Sequence, residues 1–323
     1  MASPCFKPHL EKRETKTENR KPLSGLLVLV LVVLGGYGCG SQGPVAVFCS
    51  PDSPRMRQAI QGLKAGLGNC PVEVVCVPEF GPDANDRLRL LRRRHPRLLV
   101  VLGTPALMQV APVEKHIPVV FALVGDPYFT GAAYFPDHPE DHQENLTGIA
   151  TPAPLTAAFK QGCGLLGAGA WGLLYDPNDG VAAGLAQEFA EKAPGYGIKP
   201  VVETSASAGD DGPALERLLA QGARVIYLPP AASAARYAPQ LLDWGRRLKV
   251  MVVSGYPEGD HQGALLQVAL DYRKLGEEAG ALALRVLKGE APKKIPIVEM
   301  APLKVQVDET LLRRWSGYPP PKN

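Results

Sequence analysis

Few residues of this chain combine side-chain types and spacing that could carry out chemistry. His138-Pro139-Glu140-Asp141-His142 sets two imidazoles and two carboxylates within one short run, a donor set that suits a metal ion. Two His four residues apart share a face only on a helix, and Pro139 opposes one, so the run reads as a solvated loop. The remaining histidines, His9, His95, His116 and His261, form no cluster. Gly162-Cys163-Gly164-Leu165-Leu166-Gly167 spells G-x-G-x-x-G. A dinucleotide site needs that motif after a strand and at the start of a helix. Here it ends a helical segment and precedes a strand, so it is set aside. G-x-S-x-G, the P-loop, H-E-x-x-H and C-x-x-C are all absent from the sequence. The chain therefore reads as non-catalytic, with no cofactor and no metal.

What stands out instead is a series of small or polar residues at the ends of apolar runs. They are Ser50, Thr104 and Gly125-Asp126 in the first half, and Asp176-Pro177-Asn178, Ala231-Ala232-Ser233 and Ser254 in the second. Open α/β sheets bind ligands beyond the carboxyl ends of their strands, where backbone amides and helix starts supply donors. The same residue types also cap the helices that follow. Capping alone explains each residue singly. Two sheets aimed at one cleft would give the set a further use.

The elements that must position these residues come as a repeat. Val45–Cys49, the Ser50-Pro51-Asp52-Ser53-Pro54 break and the helical RMRQAIQGLKAGL match Trp171–Tyr175, Asp176-Pro177-Asn178-Asp179 and an Ala-rich helix. Val72–Val77 answers Pro200–Glu203, Arg87–Thr104 answers Leu215–Pro229, and Ile117–Asp126 answers Leu248–Gly255. The grammar is two copies of a βαβαβαβ unit, hence two Rossmann-like parallel-sheet lobes in an α/β chain. Within the second copy, Pro213–Gln221 is expected as a helix and Ile295–Glu299 as a strand. Arg273–Lys288 is an amphipathic helix closed by Gly289, and the material beyond Leu265 exceeds what one lobe needs. That helix is therefore expected to return to the first lobe, with a recrossing near Met300. The expected organisation is lobe 1 at 45–148 plus 272–300 and lobe 2 at 149–271 plus 301–317, joined by a hinge.

Residues 1–38 read as a leader. A polar, basic start precedes Leu26–Leu34, which is too short to span a bilayer, and then Gly35-Gly36-Tyr37-Gly38. Cys39 follows directly and resembles a lipoprotein cleavage site, although Gly36 stands where a Leu is usual. Lipid anchoring at Cys39, with 39–44 as tether, is one reading; plain secretion is the other. The leader holds six Lys/Arg and three Asp/Glu, so the remainder carries 29 of each and no formal net charge. That removes the main support for a nucleic-acid partner. The Arg92-Arg93-Arg94 run suits the last turn of a helix. Outside the cytoplasm disulfides are permitted; Cys49 and Cys76 end neighbouring strands, Cys70 and Cys163 are further candidates, and reduced Cys is equally open. Residues 318–323 read as a loose tail.

Several segments carry a family resemblance. Val124-Gly125-Asp126-Pro127, Asn145-Leu146-Thr147-Gly148, Gly172 to Asn178 and Ala269-Leu270-Asp271-Tyr272 occur in order. The closing Leu275-Gly276…Leu287-Lys288-Gly289-Glu290-Ala291-Pro292…Ile295-Pro296 string is the most specific part. Together they resemble ABC-transporter substrate-binding proteins of the tryptophan/tyrosine-uptake type, with the type I periplasmic-binding-protein fold. The resemblance covers Val45 to Trp315. It implies an extracytoplasmic protein that captures a small ligand and hands it to an ABC permease. It also implies ligand contacts at Thr104, Asp126, the Gly148–Thr151 segment, Tyr175, Asn178, Ala231–Ser233, Ser254 and Asp271, beside Ser50 and Gly125 from the strand ends. The chain departs from the family where Gly148-Ile149-Ala150-Thr151 and Pro230-Ala231-Ala232-Ser233 replace segments that often carry Asp. Lobe 2 is thus short of carboxylates for an ammonium. An aromatic or less basic ligand fits as well as an amino acid, with Tyr128, Phe129, Tyr134 and Phe135 as a possible aromatic wall. A sensing or docking module that has lost amino-acid binding is the alternative.

Overall fold

A computed structural model describes residues 43–77, 82–256 and 262–315. The leader, Cys39, His261 and the 318–323 tail lie outside these residues. The described residues begin with β1 (Val45–Cys49), α1 (Pro54–Leu67), β2 (Val72–Cys76), α2 (Pro82–Arg92), β3 (Leu98–Leu102), α3 (Thr104–Val110) and β4 (Val119–Val124). A hairpin of β5 (Ala133–Phe135) and β6 (His138–His142) leads into β7 (Leu146–Ala150). Then come α4 (Leu155–Leu166), β8 (Ala170–Tyr175), α5 (Gly180–Lys192), β9 (Lys199–Thr204), α6 (Ala208–Ala220) and β10 (Val225–Leu228). The last elements are α7 (Ala238–Arg247), β11 (Met251–Ser254), β12 (Leu266–Leu270), α8 (Tyr272–Leu287), β13 (Val298–Glu299), β14 (Leu303–Val307) and α9 (Glu309–Trp315).

The strands form two six-stranded sheets, in the orders β13-β7-β4-β3-β1-β2 and β14-β12-β11-β10-β8-β9. All neighbours are parallel except β14, which runs antiparallel to β12. Each sheet has a separate apolar cluster on each face. Burial on both faces explains the unbroken apolar runs such as Leu98–Leu102, every residue of which is buried. These are the two parallel-sheet lobes expected from the repeat, and β7 extends the first sheet through Ala150.

Three connections cross between the sheets: β7 to α4, β12 to α8, and β13 to β14. They are knitted together, since the Asp271 amide donates to Pro302 O at 2.7 Å and the Met300 amide to Ala150 O at 2.9 Å. Each leaves from or enters at the carboxyl end of the parallel strands. The carboxyl ends of both sheets are therefore held at the same crossing.

The helix α8 follows a lobe 2 strand but packs on α1 of lobe 1. Gly62 and Gly66 on α1 meet Gly276 and Gly280 on α8, each pair four residues apart and so on one helix face. A β-carbon at Gly62 would fall inside the Arg273 carbonyl oxygen, and one at Gly276 inside that of Ala59. Only side-chain-free positions allow this backbone approach.

Cys49 and Cys76, the last residues of paired strands in register, form a disulfide with Cα atoms 4.4 Å apart. It ties down the edge strand β2. Closing a loop of this length contributes about 3.5 kcal/mol by chain entropy. Cys70 and Cys163 lie outside disulfides. Arg92 ends α2 and pairs at 2.6 Å with Glu114, which is buried and also accepts the His116 and Ile117 amides.

Three local expectations change. The helix expected from Pro213 begins at Ala208, because Asp210 and Asp211 favour its first turn and Ser207 bonds Asp210; Pro213 lies inside it. The strand expected over Ile295–Glu299 shrinks to β13, since a 3₁₀ turn occupies Pro292–Lys294 and Pro296 has no amide for a ladder. His138–His142 is a strand rather than a loop, paired with Ala133–Phe135. His142 is buried, with its ring nitrogens 3.0 Å from Gln143 O and Ile295 O.

Replacing Gly276 by Ala tests the α1–α8 seat. Helix propensity favours Ala by about 1 kcal/mol, but the added methyl meets rigid backbone rather than a movable side chain. Overpacking of that kind typically costs about 1–3 kcal/mol. Urea unfolding of Gly276→Ala should show a net loss of up to ~2 kcal/mol; a stabilised variant would mean that the helices separate freely.

Candidate functional site

Apart from Gly148 and Ile149, which lie within a strand, every residue expected at the site stands at the carboxyl end of a parallel strand or just beyond it. Ser50 follows β1, Thr104 opens α3 after β3, Gly125 and Asp126 follow β4, and Thr151 follows β7. In the second sheet Tyr175 ends β8, Asn178 follows it, Ala232 and Ser233 follow β10, Ser254 ends β11 and Asp271 follows β12. Gly125, Asp126, Asn178 and Ala232 are exposed; Ser50, Thr151 and Ser254 are buried; the others lie between.

Most of these groups already hold the fold. Gly103 stands at the start of α3 with φ 99° and offers no side chain, so Ser50 Oγ reaches across to accept the Ala106 amide at 3.3 Å. Asp126 accepts the Tyr128 and Phe129 amides at 2.8 and 3.0 Å. The Thr151 amide donates to Val124 O at 2.7 Å. Ser254 Oγ accepts the Tyr256 amide at 3.2 Å, and Asp271 caps α8 through the Lys274 amide at 3.0 Å. The Asn178 amide donates to Asp176 at 2.9 Å, and the Ser233 amide to Asp179 at 3.0 Å.

The rim of the first lobe is shaped by strain. Leu123, inside β4, has φ 60°, and the β4–β7 register shifts between Phe121 and Val124. A side chain in the left-handed region costs roughly 1–2 kcal/mol. The bulge re-aims the Gly125-Asp126 corner. Beyond it, Tyr128 packs on the apolar cluster, while Phe129, Tyr134 and Phe135 are exposed at 76%, 56% and 58%.

Arg236 is the residue that strand-end patterning missed. It ends a 3₁₀ turn over Ala232–Arg236 and reaches back to Asp176 at 2.7 Å. Its other nitrogens bond Asp211 at 2.9–3.3 Å and Ser205 O at 2.8 Å. Ser205 Oγ donates to Asp211 at 2.6 Å. The Arg236 bond, then the Asn178 amide, hold Asp176 below the usual carboxylate range, and the two carboxylates raise Arg236. Burial pushes Asp179 up, but the Ser233, Ala182 and Val181 hydrogen bonds leave it lowered. Asp176, Asp179 and Asp211 are thus committed within the second lobe. No local signal marks the pair: Arg236 stands three residues past Ser233, and Asp211 lies two residues before Pro213, which reads as a helix start. A surface cavity of about 460 Å³ lined by Gln262, Ala264, Gln267, Gln306, Val307 and Asp308 lies at the other end of β12, away from these groups.

The Arg236–Asp176 bond carries a pH signature. Because the folded value of Asp176 is depressed, its stabilisation is complete above about pH 4, the unfolded carboxylate range. It is lost as pH falls through the lower folded value. Melting temperatures of the wild type and Asp176→Asn should differ by a constant amount at pH 5–8 and converge in stronger acid. A gap that widens in acid would contradict the pairing.

A family model described as "ABC transporter substrate binding protein" matches residues 44–315. A tyrosine-binding protein of Clostridioides difficile (strain R20291) is 22% identical over 220 residues, 67% of this chain and 62% of that protein, so the match spans less than two thirds of this relative. Among solved structures, the ligand-free, open CD0873 from Clostridium difficile, a substrate binding protein with adhesive properties, superposes with TM-score 0.70 at 18% identity. That match covers 87% of this chain and 97% of the other. An ABC domain from Streptococcus pneumonia in complex with L-Trp superposes with TM-score 0.66 at 18% identity, over 85% and 95%.

Proposed function

We propose a function from one premise: this chain belongs to the ABC transporter substrate binding protein family. Its role is to bind a transporter's substrate rather than transform it. The ligand site is the cleft between the lobes, where Ser50, Thr104, Gly125, Asp126 and Thr151 face Tyr175, Asn178, Ala232, Ser233, Ser254 and Asp271. The observation that carries this reading is topological. Three knitted crossings hold the carboxyl ends of both sheets together, and every one of these residues stands at such an end.

The ligand is a small molecule, aromatic or amino-acid-like. The relatives named for tyrosine and solved with L-Trp support that class. Capture proceeds by closure of the lobes about the crossings, after which the protein presents the ligand to a membrane permease. The protein works outside the cytoplasm, which the Cys49–Cys76 disulfide supports, and is held at the membrane by lipid on Cys39. A sensing or docking module without an amino-acid ligand is the second reading, favoured by the engagement of Asp176 with Arg236.

Two experiments test these statements. Asn178 is exposed and Tyr175 half-buried, so Tyr175→Ala and Asn178→Ala should fold. In titration calorimetry with L-tyrosine and L-tryptophan each should weaken binding at least about tenfold, ~1.4 kcal/mol. Full binding by both variants would move the site elsewhere, and a wild type indifferent to every small molecule in a broad thermal-shift panel would favour the second reading. For the anchor, Cys39→Ser should shift the protein from the membrane fraction to the soluble one. Retention at the membrane would remove the lipid.

A further inference from the structure

A buried tyrosine hydroxyl has no partner in the fold and ends beside the proposed cleft. Tyr227, the third residue of β10, is wholly buried and its ring stacks near Phe189, with centroids 6.2 Å apart. Its phenolic oxygen has no hydrogen-bond partner. A buried hydroxyl left in that state costs folding free energy, so its presence asks for another explanation than packing, which Phe would serve.

The position of the hydroxyl supplies one. In the sheet register Leu228 lies beside Ser254, and the Tyr227 ring extends past both to Gly255. A β-carbon at Gly255 would collide with the phenolic oxygen, and would stand 3.2 Å from Pro230 Cδ. Gly255 is the first residue beyond β11. The hydroxyl is therefore at the carboxyl ends of β10 and β11, the same end as Tyr175, Ser254 and Asp271. Burial, then nearby Glu188 and Tyr272, push its titration well above the usual phenol range, leaving a neutral donor and acceptor. Trp171 Nε1 is also without a partner, but Trp171 is second in β8, at the far end of the sheet, where Gly162 packs against its ring. The surrounding charges are engaged: Asp176 and Asp211 with Arg236, and Asp179 with three backbone amides.

We propose that the Tyr227 hydroxyl is a specificity-determining ligand contact, through which the second lobe hydrogen-bonds an uncharged polar group of a small ligand, such as a phenol, a carbonyl or an indole N–H. The ligand's charge is then read in the first lobe, where Asp126 is exposed. This inference rests on the cleft reading above.

Tyr227→Phe tests it with two readouts. In calorimetry with L-tyrosine and L-tryptophan, the dissociation constant of whichever binds the wild type should rise about tenfold or more. The melting temperature of the ligand-free variant should hold or rise by roughly 1–4 °C, because a hydroxyl without a partner is removed. Gly255→Ala, whose methyl would displace the oxygen, should weaken binding similarly. Unchanged affinity in Tyr227→Phe overturns the proposal. So does a melting temperature lowered by more than roughly 3 °C, which marks a structural hydroxyl. If Tyr227→Phe binds normally while Tyr175→Ala does not, this contact alone fails; if both bind normally, the cleft itself is misplaced.

Discussion

The structure depends on the backbone contact between α1 and α8. A helix that follows β12 in the second lobe is seated on the first, and four glycines bring its backbone against α1 at Ala59–Gly66. Everything that lies between the lobes follows from that seat. With α8 fixed, the β12–α8 crossing starts at Asp271, whose carboxylate caps the helix and whose amide bonds Pro302 in the third crossing. The capping bond and the crossing bond share one residue. Lobe position and helix start are therefore set together, and a loosened α8 would disturb the strand ends before it disturbed either core.

Both sheets are sealed on both faces, which leaves their edges and ends as the places where backbone polarity is available. The edges are managed: β2 by the disulfide, β13 by its short length, β14 by Lys304 and β9 by Lys199 and Pro200. The carboxyl ends remain. There the two lobes differ in charge. Asp126 stays exposed on the first, while Arg236 draws Asp176 and Asp211 into the body of the second. A partly buried ion pair of this kind adds less to stability than its geometry suggests, since desolvation opposes it. Its clearer effect is on the rim of the second lobe, which it leaves without a free carboxylate at that point.

Much of this architecture was legible in the sequence because it depends on pattern. Repeated apolar runs, breaks at Ser50-Pro51 and Asp176-Pro177, and surplus elements after Leu265 give two sheets and a returning helix. Residue types at strand ends gave the candidate set. What sequence could not give were contacts between positions far apart in the chain. Arg236 bonds Asp176 sixty residues away, and nothing in the local run Ala234-Ala235-Arg236-Tyr237 marks it as more than a solvated base. Asp211 was hidden for a related reason: Pro213 reads as a helix start, so the Asp two residues before it seemed to lie in a loop. The spacing Gly62-x-x-x-Gly66 was visible, but it acquires meaning only beside Gly276-x-x-x-Gly280. Cys49 and Cys76 were adjacent by strand order, and register turned adjacency into a bond.

Two costs without local compensation lie at the carboxyl ends of strands. Leu123 holds a left-handed backbone just before the Gly125-Asp126 corner, and Tyr227 buries an oxygen with no partner beside Gly255. His95, the other non-glycine residue with positive φ among those described, closes the turn after α2 and has no such neighbourhood. Natural sequences keep local and global preferences consistent except where function requires otherwise. Two exceptions on opposite lobes, both at the carboxyl ends of strands, are hard to attribute to packing, because Gly at 123 and Phe at 227 would remove each. In the proposed cleft, ligand binding would supply the missing compensation for both: a polar partner for the phenol and a fixed position for the corner that carries Asp126.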